Sequence, residues 1–376
     1  STSLILSPHQ HVSSFKKPID IDDIRLPRRH VPCLMCSQAQ PLIYPSPRLE
    51  PMGGVRGVLA RRSLEEVQSI VEKALRDYVE ERSEDPAMKY SRDILLAGGK
   101  RFRPVLGCLA YEAAGAKLDD KMLRAALAAE IIHTATLVHD DIYDQAKLRR
   151  GRPTLHSQHG LAHGIIAGDY LFTLGYWLGS EQGPEVIRAL ADSCIAMANG
   201  ELLQFDHIGN LGTTPEDYYK IIDGKTAGPI ACGCKVAAMV AEADPEVIDA
   251  MDNFGWEVGR AFQMVDDLLD LTGNPRMGKP RGTDIYEGKM TLPIIHALTS
   301  LHGNDRKNLA DVLMDFNDDR WDELISLLDT AGSIDYVRSL IDSHVQRAIE
   351  ALEPLPNSNQ LQLMAKFARK SALRTL

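Results

Sequence analysis

Two short acidic runs, HDDIYD (139–144) and VDDLLD (265–270), sit inside stretches of helical apolar periodicity, and they constrain this chain more than anything else in it. At helical pitch Asp140 and Asp144 stack on one face one turn apart, with Asp141 beside them and His133 two turns earlier on the same side. Ile132, Ala135, Val138 and Ile142 occupy the other side. In the second run Val258, Ala261, Phe262, Val265, Leu268 and Leu269 form the apolar stripe, opposite Gln263, Asp266, Asp267 and Asp270. Carboxylates crowded within one turn repel one another, so a solvated helix gains little from them, whereas divalent cations would neutralise them. A single run of this kind is usually a solvated helix face. Two copies, each followed by bases (Arg149 and Arg150; Lys279 and Lys289) that could meet phosphate oxygens, point to paired metal sites.

The rest of the chain is helical in pattern. Ser63 with Glu66 three residues on reads as a helix cap, followed by Leu64, Val67, Val71, Leu75 and Tyr78 at helical spacing. Further runs follow to the C-terminus, among them 91–114, 120–145, 160–179, 184–206, 227–242 and 246–272, with alternating strand patterns essentially absent. Gly98 and Gly99 should interrupt the run 91–114 so that Lys100, Arg101 and Arg103 converge, and Gly224 should open its helix to let Lys225 reach inward. The expected fold is all-α: a single-domain helical bundle whose central cavity is faced by both acidic helices. No linker divides the chain after residue 63, which predicts one domain over 57–376. Residues 1–56 hold Pro8, Pro18, Pro27, Pro32, Pro41, Pro45, Pro47 and Pro51 and are expected to form an extended or disordered extension, with Met52 as an alternative start.

Composition excludes several classes. Acidic residues outnumber basic ones 52 to 42, and without a basic run nucleic acid is not an expected partner. The six cysteines show no disulfide spacing, and Cys33 and Cys36 form a CxxC with no second pair, so a reducing, cytoplasmic setting is expected. The longest apolar stretch, Gly164 to Gly179, is broken by Asp169, so no transmembrane segment is predicted. Trp177, Trp256 and Trp321 read as core residues, and His156, His159 and His163 as polar helix positions.

Five blocks, GGKRFRP (98–104), HDDIYDQAKLRRGRPT (139–154), GKTAG (224–228), FQMVDDLLD (262–270) and GKPRGTDIYEGKMTLP (278–293), resemble the trans-isoprenyl diphosphate synthases in order and spacing over roughly residues 60–376. The resemblance implies an isoprenoid-synthase bundle working as a homodimer. It implies that Lys100, Arg103, His133 and Arg150 bind isopentenyl diphosphate, while Arg149, Lys225, Thr226, Gln263, Lys279 and Lys289 hold an allylic prenyl diphosphate. Asp140, Asp141, Asp144, Asp266, Asp267 and Asp270 would carry about three magnesium ions, with manganese as an alternative. Ionisation of the allylic diphosphate, attack by the isopentenyl double bond and loss of a proton would then extend the chain head-to-tail. Ala135 and Thr136 stand where short-chain members tend to carry a bulky floor, which implies a product of twenty-five carbons or longer; geranylgeranyl diphosphate is the alternative. A class I terpene cyclase is disfavoured by the second aspartate run and the isopentenyl set, and a non-catalytic partner subunit by the six intact aspartates.

Overall fold

The computed structural model describes residues 62–273 and 281–372, so the N-terminal extension, its boundary, Cys33, Cys36 and Lys279 lie outside the described residues. The first helix, α1 (Leu64–Glu81), begins as the sequence predicts. Ser63 Oγ accepts from the Glu66 amide at 3.2 Å, while the Glu66 carboxylate accepts from the Ser63 amide at 2.7 Å. The predicted run 91–114 is two helices, α2 (Pro86–Leu95) and α3 (Phe102–Ala113), because Gly98, Gly99 and Arg101 between them all have positive φ.

Helix α4 (Asp120–Tyr143) carries the first acidic run at its C-terminal end and is started by Asp119, whose side chain accepts from the Met122 amide at 3.0 Å. A two-residue hairpin follows, Leu148–Arg149 paired antiparallel with Arg152–Pro153, and the turn residues Arg150 and Gly151 have φ of 52° and 74°. Both central residues at positive φ make this a tight hairpin turn of the type that matches strand twist. No alternating pattern marks these strands in the sequence. Next come α5 (Leu155–His159), α6 (Leu161–Ser180), α7 (Pro184–Asp206) and α8 (Pro215–Ile222).

Residues Asp223–Ala227 form one π-helical turn that leads into α9 (Gly228–Val240), and α10 (Pro245–Thr272) carries the second acidic run. The chain closes with α11 (Thr283–Tyr286), α12 (Leu292–Ser300), α13 (Gly303–Met314), α14 (Trp321–Thr330), α15 (Ser333–Ala351) and α16 (Asn359–Ala372). The architecture is all-α. Helix α4 packs most extensively along α6, and α10 along α9 and α15. Most buried apolar side chains belong to one core; a second, smaller cluster joins Leu271, Ile285, Ile294, Leu298, Leu309, Trp321 and Leu324. No described helix is long and apolar enough to cross a membrane.

Helices α9 and α10 touch at backbone distance. A Cβ at Gly255 would lie 2.4 Å from the Ala231 Cα, whereas one at Gly233 would meet nothing within 4 Å. Gly255→Ala should therefore destabilise the fold by about 1–3 kcal/mol through overpacking. Gly233→Ala should be neutral or stabilising by up to about 1 kcal/mol. Thermal melts of the two variants against the parent check both signs.

Candidate active site

A cavity of about 530 Å³ opens between α3, α4, α6, α7, α9 and α10. Helix α4 lines it along one continuous face: Met122, Ala125, Ala126, Ala129, Ile132, His133, Thr136, His139, Asp140 and Tyr143. Asp266, Gln263 and Phe262 face it from α10, and Lys225 and Thr226 from the π-helical turn. The two acidic helices thus oppose each other across an apolar shaft.

The six aspartates do not play equal parts. Asp140 and Asp266 line the cavity, and Asp144 is exposed one turn beyond Asp140. Asp141 is turned inward and accepts from Arg149 Nε at 2.8 Å, leaving its Oδ2 without a hydrogen bond. Asp267 is 3% exposed and accepts from the Tyr218 hydroxyl at 2.6 Å and from Gln263 Nε2 at 2.8 Å, while Thr226 donates to Gln263 Oε1 at 2.7 Å. Asp270 caps α11, accepting from the amides of Thr283 at 3.1 Å and Asp284 at 3.0 Å. Burial, then the neighbouring Asp284, pushes the Asp267 carboxyl up to about 7. Burial likewise raises Asp140, Asp141 and Asp144, with Glu201 adding to it at Asp140.

The cations meet these groups unevenly. Arg103 lines the shaft; burial lowers its pKa, and its Nε has no hydrogen-bond partner. His133 also lines the shaft, and burial together with Arg103, Arg149 and Arg150 pushes its pKa well below the usual range, so the ring is neutral. Arg150 donates to the Gly98 carbonyl, joining the hairpin to the glycine loop, and Lys100 is exposed outside the shaft lining. Lys289 lies 2.5 Å from Glu287 in a smaller polar pocket beside Asp267, which also holds the buried Thr291 hydroxyl, without a hydrogen bond.

Several expectations need correction. Arg101 does not converge with Lys100 and Arg103, because its side chain turns into the protein and is only 3% exposed. Ala135 is fully buried and does not line the shaft, since 100° per residue rotates it off the Thr136 face. Gly224 lies in the π-helical turn from which Lys225 faces the cavity, as expected, and it also lets α7 approach, for a Cβ there would lie 2.6 Å from the Ala196 carbonyl. Sequence reasoning also passed over Glu201, which pairs with Lys225 at 2.6 Å alongside Gln204. Only its place four residues after Met197 on a cavity-lining helix face could have marked it. Asp169 is exposed, 3.8 Å from His139, and Tyr90 packs against His159 and His163. Trp321 is buried and Trp177 packs against the main core, as expected, while Arg82, Arg260 and Arg281 lie over the Trp177, Trp256 and Trp321 rings.

The polyprenyl synthetase family profile matches residues 85–328, across both acidic helices. The chain belongs to the trans-isoprenyl diphosphate synthases. A short chain isoprenyl diphosphate synthase of Methanothermobacter thermautotrophicus is 33% identical to it over 311 residues, 81% of this chain and 95% of that one. An octaprenyl diphosphate synthase of Haemophilus influenzae is 32% identical over 288 residues, covering 75% and 86%. Among solved structures, a Caulobacter crescentus polyprenyl synthase complexed with calcium and isoprenyl diphosphate superposes with a TM-score of 0.76 at 28% identity, covering 84% of this chain and 98% of that one. This synthase is accordingly an enzyme, a trans-prenyltransferase.

The raised pKa of Asp267 sets the sign of one pH effect in this synthase. Its folded pKa lies above the unfolded value near about 3.9, so the folded state binds more protons between the two and stability falls as pH rises through that window. Asp267→Asn removes this penalty. The melting temperature of the metal-free variant relative to the parent should climb from pH 4 to pH 8, as scanning calorimetry across that range would record.

Proposed function

We propose that this synthase condenses isopentenyl diphosphate with an allylic prenyl diphosphate, head-to-tail, to give a trans-polyprenyl diphosphate of twenty-five carbons or longer. The observation that carries the reading is the shaft itself, lined by Asp140 of one acidic run, Asp266 of the other and one face of α4 down to Met122.

The donor set fits magnesium. Asp140 and Asp144 are carboxylates held partly out of water with like charge nearby, and they offer hard oxygen ligands. Among the described residues no three acidic, histidine or cysteine side chains converge to hold an ion unaided. Magnesium commonly takes one or two carboxylates and completes its shell with phosphate oxygens and water, so the pattern suits ions that arrive with a diphosphate. Asp140, Asp144, Asp266 and Asp270 would hold them, with Asp141 and Asp267 kept in place by Arg149 and by Tyr218 and Gln263. Bound there, magnesium would neutralise the allylic diphosphate and improve it as a leaving group.

The chain's own groups do the rest. Arg149, Lys225, Thr226, Lys279 and Lys289 hold the allylic diphosphate, so the breaking C–O bond sends its electron pair into a positively charged cradle. Arg103, with an unpartnered Nε, and neutral His133 hold isopentenyl diphosphate together with Lys100 and Arg150. The double bond attacks the allylic cation, and the departing diphosphate takes the proton that restores an alkene. Phe172, Ile132 and Phe262 line the space and exclude water that would quench the cation.

Product length follows the depth of the shaft. Met122 lies about 27 Å along α4 from Asp140 at 1.5 Å per residue. An extended chain advances about 3.5 Å per three bonds, so a four-bond isoprene unit takes about 4.7 Å and the shaft accepts about five or six. Ala125, Ala126 and Ala129 leave its lower half wide. Homodimerisation is supported by Ile165 and Ile166 on α6 and Ile195 and Leu202 on α7, all exposed apolar side chains.

Incubation with magnesium, isopentenyl diphosphate and farnesyl diphosphate, with products read by mass spectrometry, should give chains of twenty-five carbons or more; a clean twenty-carbon stop would make this a geranylgeranyl diphosphate synthase. Ala129→Phe should shorten the product, because its ring would cross the shaft three turns below Asp140. Asp140→Asn and Asp266→Asn should each lower kcat by about a hundredfold or more.

A further inference from the structure

We propose that Arg101 is a positioning residue for the isopentenyl diphosphate half of the site, pinned inward so that Lys100 and Arg103 are presented on either side of it. The proposal rests on the functional reading above.

Arg101 is the residue before α3 and has a φ of 46°, a left-handed conformation uncommon outside glycine. Gly98 and Gly99 before it also have positive φ, at 76° and 140°, so the loop departs from helical backbone at three of its residues. The strain at Arg101 needs a compensating interaction. Its guanidinium supplies one: Nε donates to Glu72 at 2.7 Å, one terminal nitrogen to Glu130 at 2.7 Å and the other to the Leu95 carbonyl at 2.8 Å. The Arg101 and Glu130 side chains are 3% and 8% exposed, which makes this a buried charge cluster.

The three partners lie on α1, on α4 and at the end of α2. One planar group therefore fixes the root of the loop against three helices. Glu130 sits one turn before His133 on α4, so the ion pair also sets the distance between the loop and the helix carrying His133 and Asp140. A lysine ammonium could not serve three acceptors spread around a planar fork. Two further bonds hold the loop from outside, from Gln68 Nε2 to the Gly99 carbonyl at 3.1 Å and from Arg150 to the Gly98 carbonyl. Arg150 is itself a member of the isopentenyl set, so three of the four groups of that set depend on this loop for their relative placement.

The test separates positioning from general support of the fold by reading the two substrates apart. With the full chain and magnesium, KM for isopentenyl diphosphate and for farnesyl diphosphate is measured in the parent, Arg101→Lys, Glu130→Gln and Glu72→Gln, with melting temperatures alongside. The expected result is a rise of about tenfold or more in KM for isopentenyl diphosphate, with KM for farnesyl diphosphate within about twofold. Glu72→Gln keeps the test open if the buried variants fail to fold, because the Glu72 side chain is 18% exposed and removes one arm only. Unchanged KM values in a folded variant, or equal rises for both substrates, overturn the proposal while leaving the synthase reading intact. Absence of isopentenyl diphosphate turnover in the parent overturns both.

Discussion

Holding charge beside an apolar cavity is costly, and the mouth of the shaft is built around that cost. Two of the bases there are paired within the protein. Lys225 leans on Glu201, and Arg149 on Asp141, so each of these cations already has a carboxylate partner. On the function proposed above, a diphosphate would compete for them, bringing its own divalent counterions. Arg103 is different. Its buried Nε has no hydrogen-bond partner, although the charges of Glu130, Asp266 and Asp140 act on its guanidinium.

Helix α4 is where these constraints meet. Its face from Met122 to Tyr143 is the wall of the shaft, its C-terminal turn carries the first aspartates, and its middle supplies Glu130 to the Arg101 cluster and His133 to the cavity. An alternation of function along one helix face requires a straight, well-packed rod. The extensive contact with α6 provides it, with α9 and α10 facing it across the cavity. Among the described residues, non-glycine left-handed backbone occurs at Arg101, Gln145, Arg150 and Glu242, all outside the helices.

What the sequence disclosed and what it hid divide along the same line. The acidic helices, the Ser63 cap and the helical class were legible because each is a local pattern with a fixed period. The hairpin at Arg149–Arg152 was not, since two residues per strand give no alternation to read. Arg101 could not be told from Lys100 and Arg103 by type, because only Glu72 and Glu130, about thirty positions away on either side, decide which base turns inward. Ala135 and Thr136 are neighbours in the chain yet face different surroundings, a distinction that needs the phase of α4 against its partners. Asp141 and Asp267 were recognised as members of acidic runs, but their hydrogen bonds to Arg149 and Tyr218 are tertiary and leave no trace in spacing.

The division of the interior into two apolar clusters bears on how evenly the protein holds together. Helix α12 straddles them, with Leu292 and Ile295 in the larger and Ile294, Ala297 and Leu298 in the smaller. Just ahead of it come Asp284, Glu287 and Lys289, at the edge of the pocket behind Asp267. A satellite core of this size can loosen at a lower free energy than the main one. The helices around that cluster can then open locally while the rod-like half of the protein stays folded.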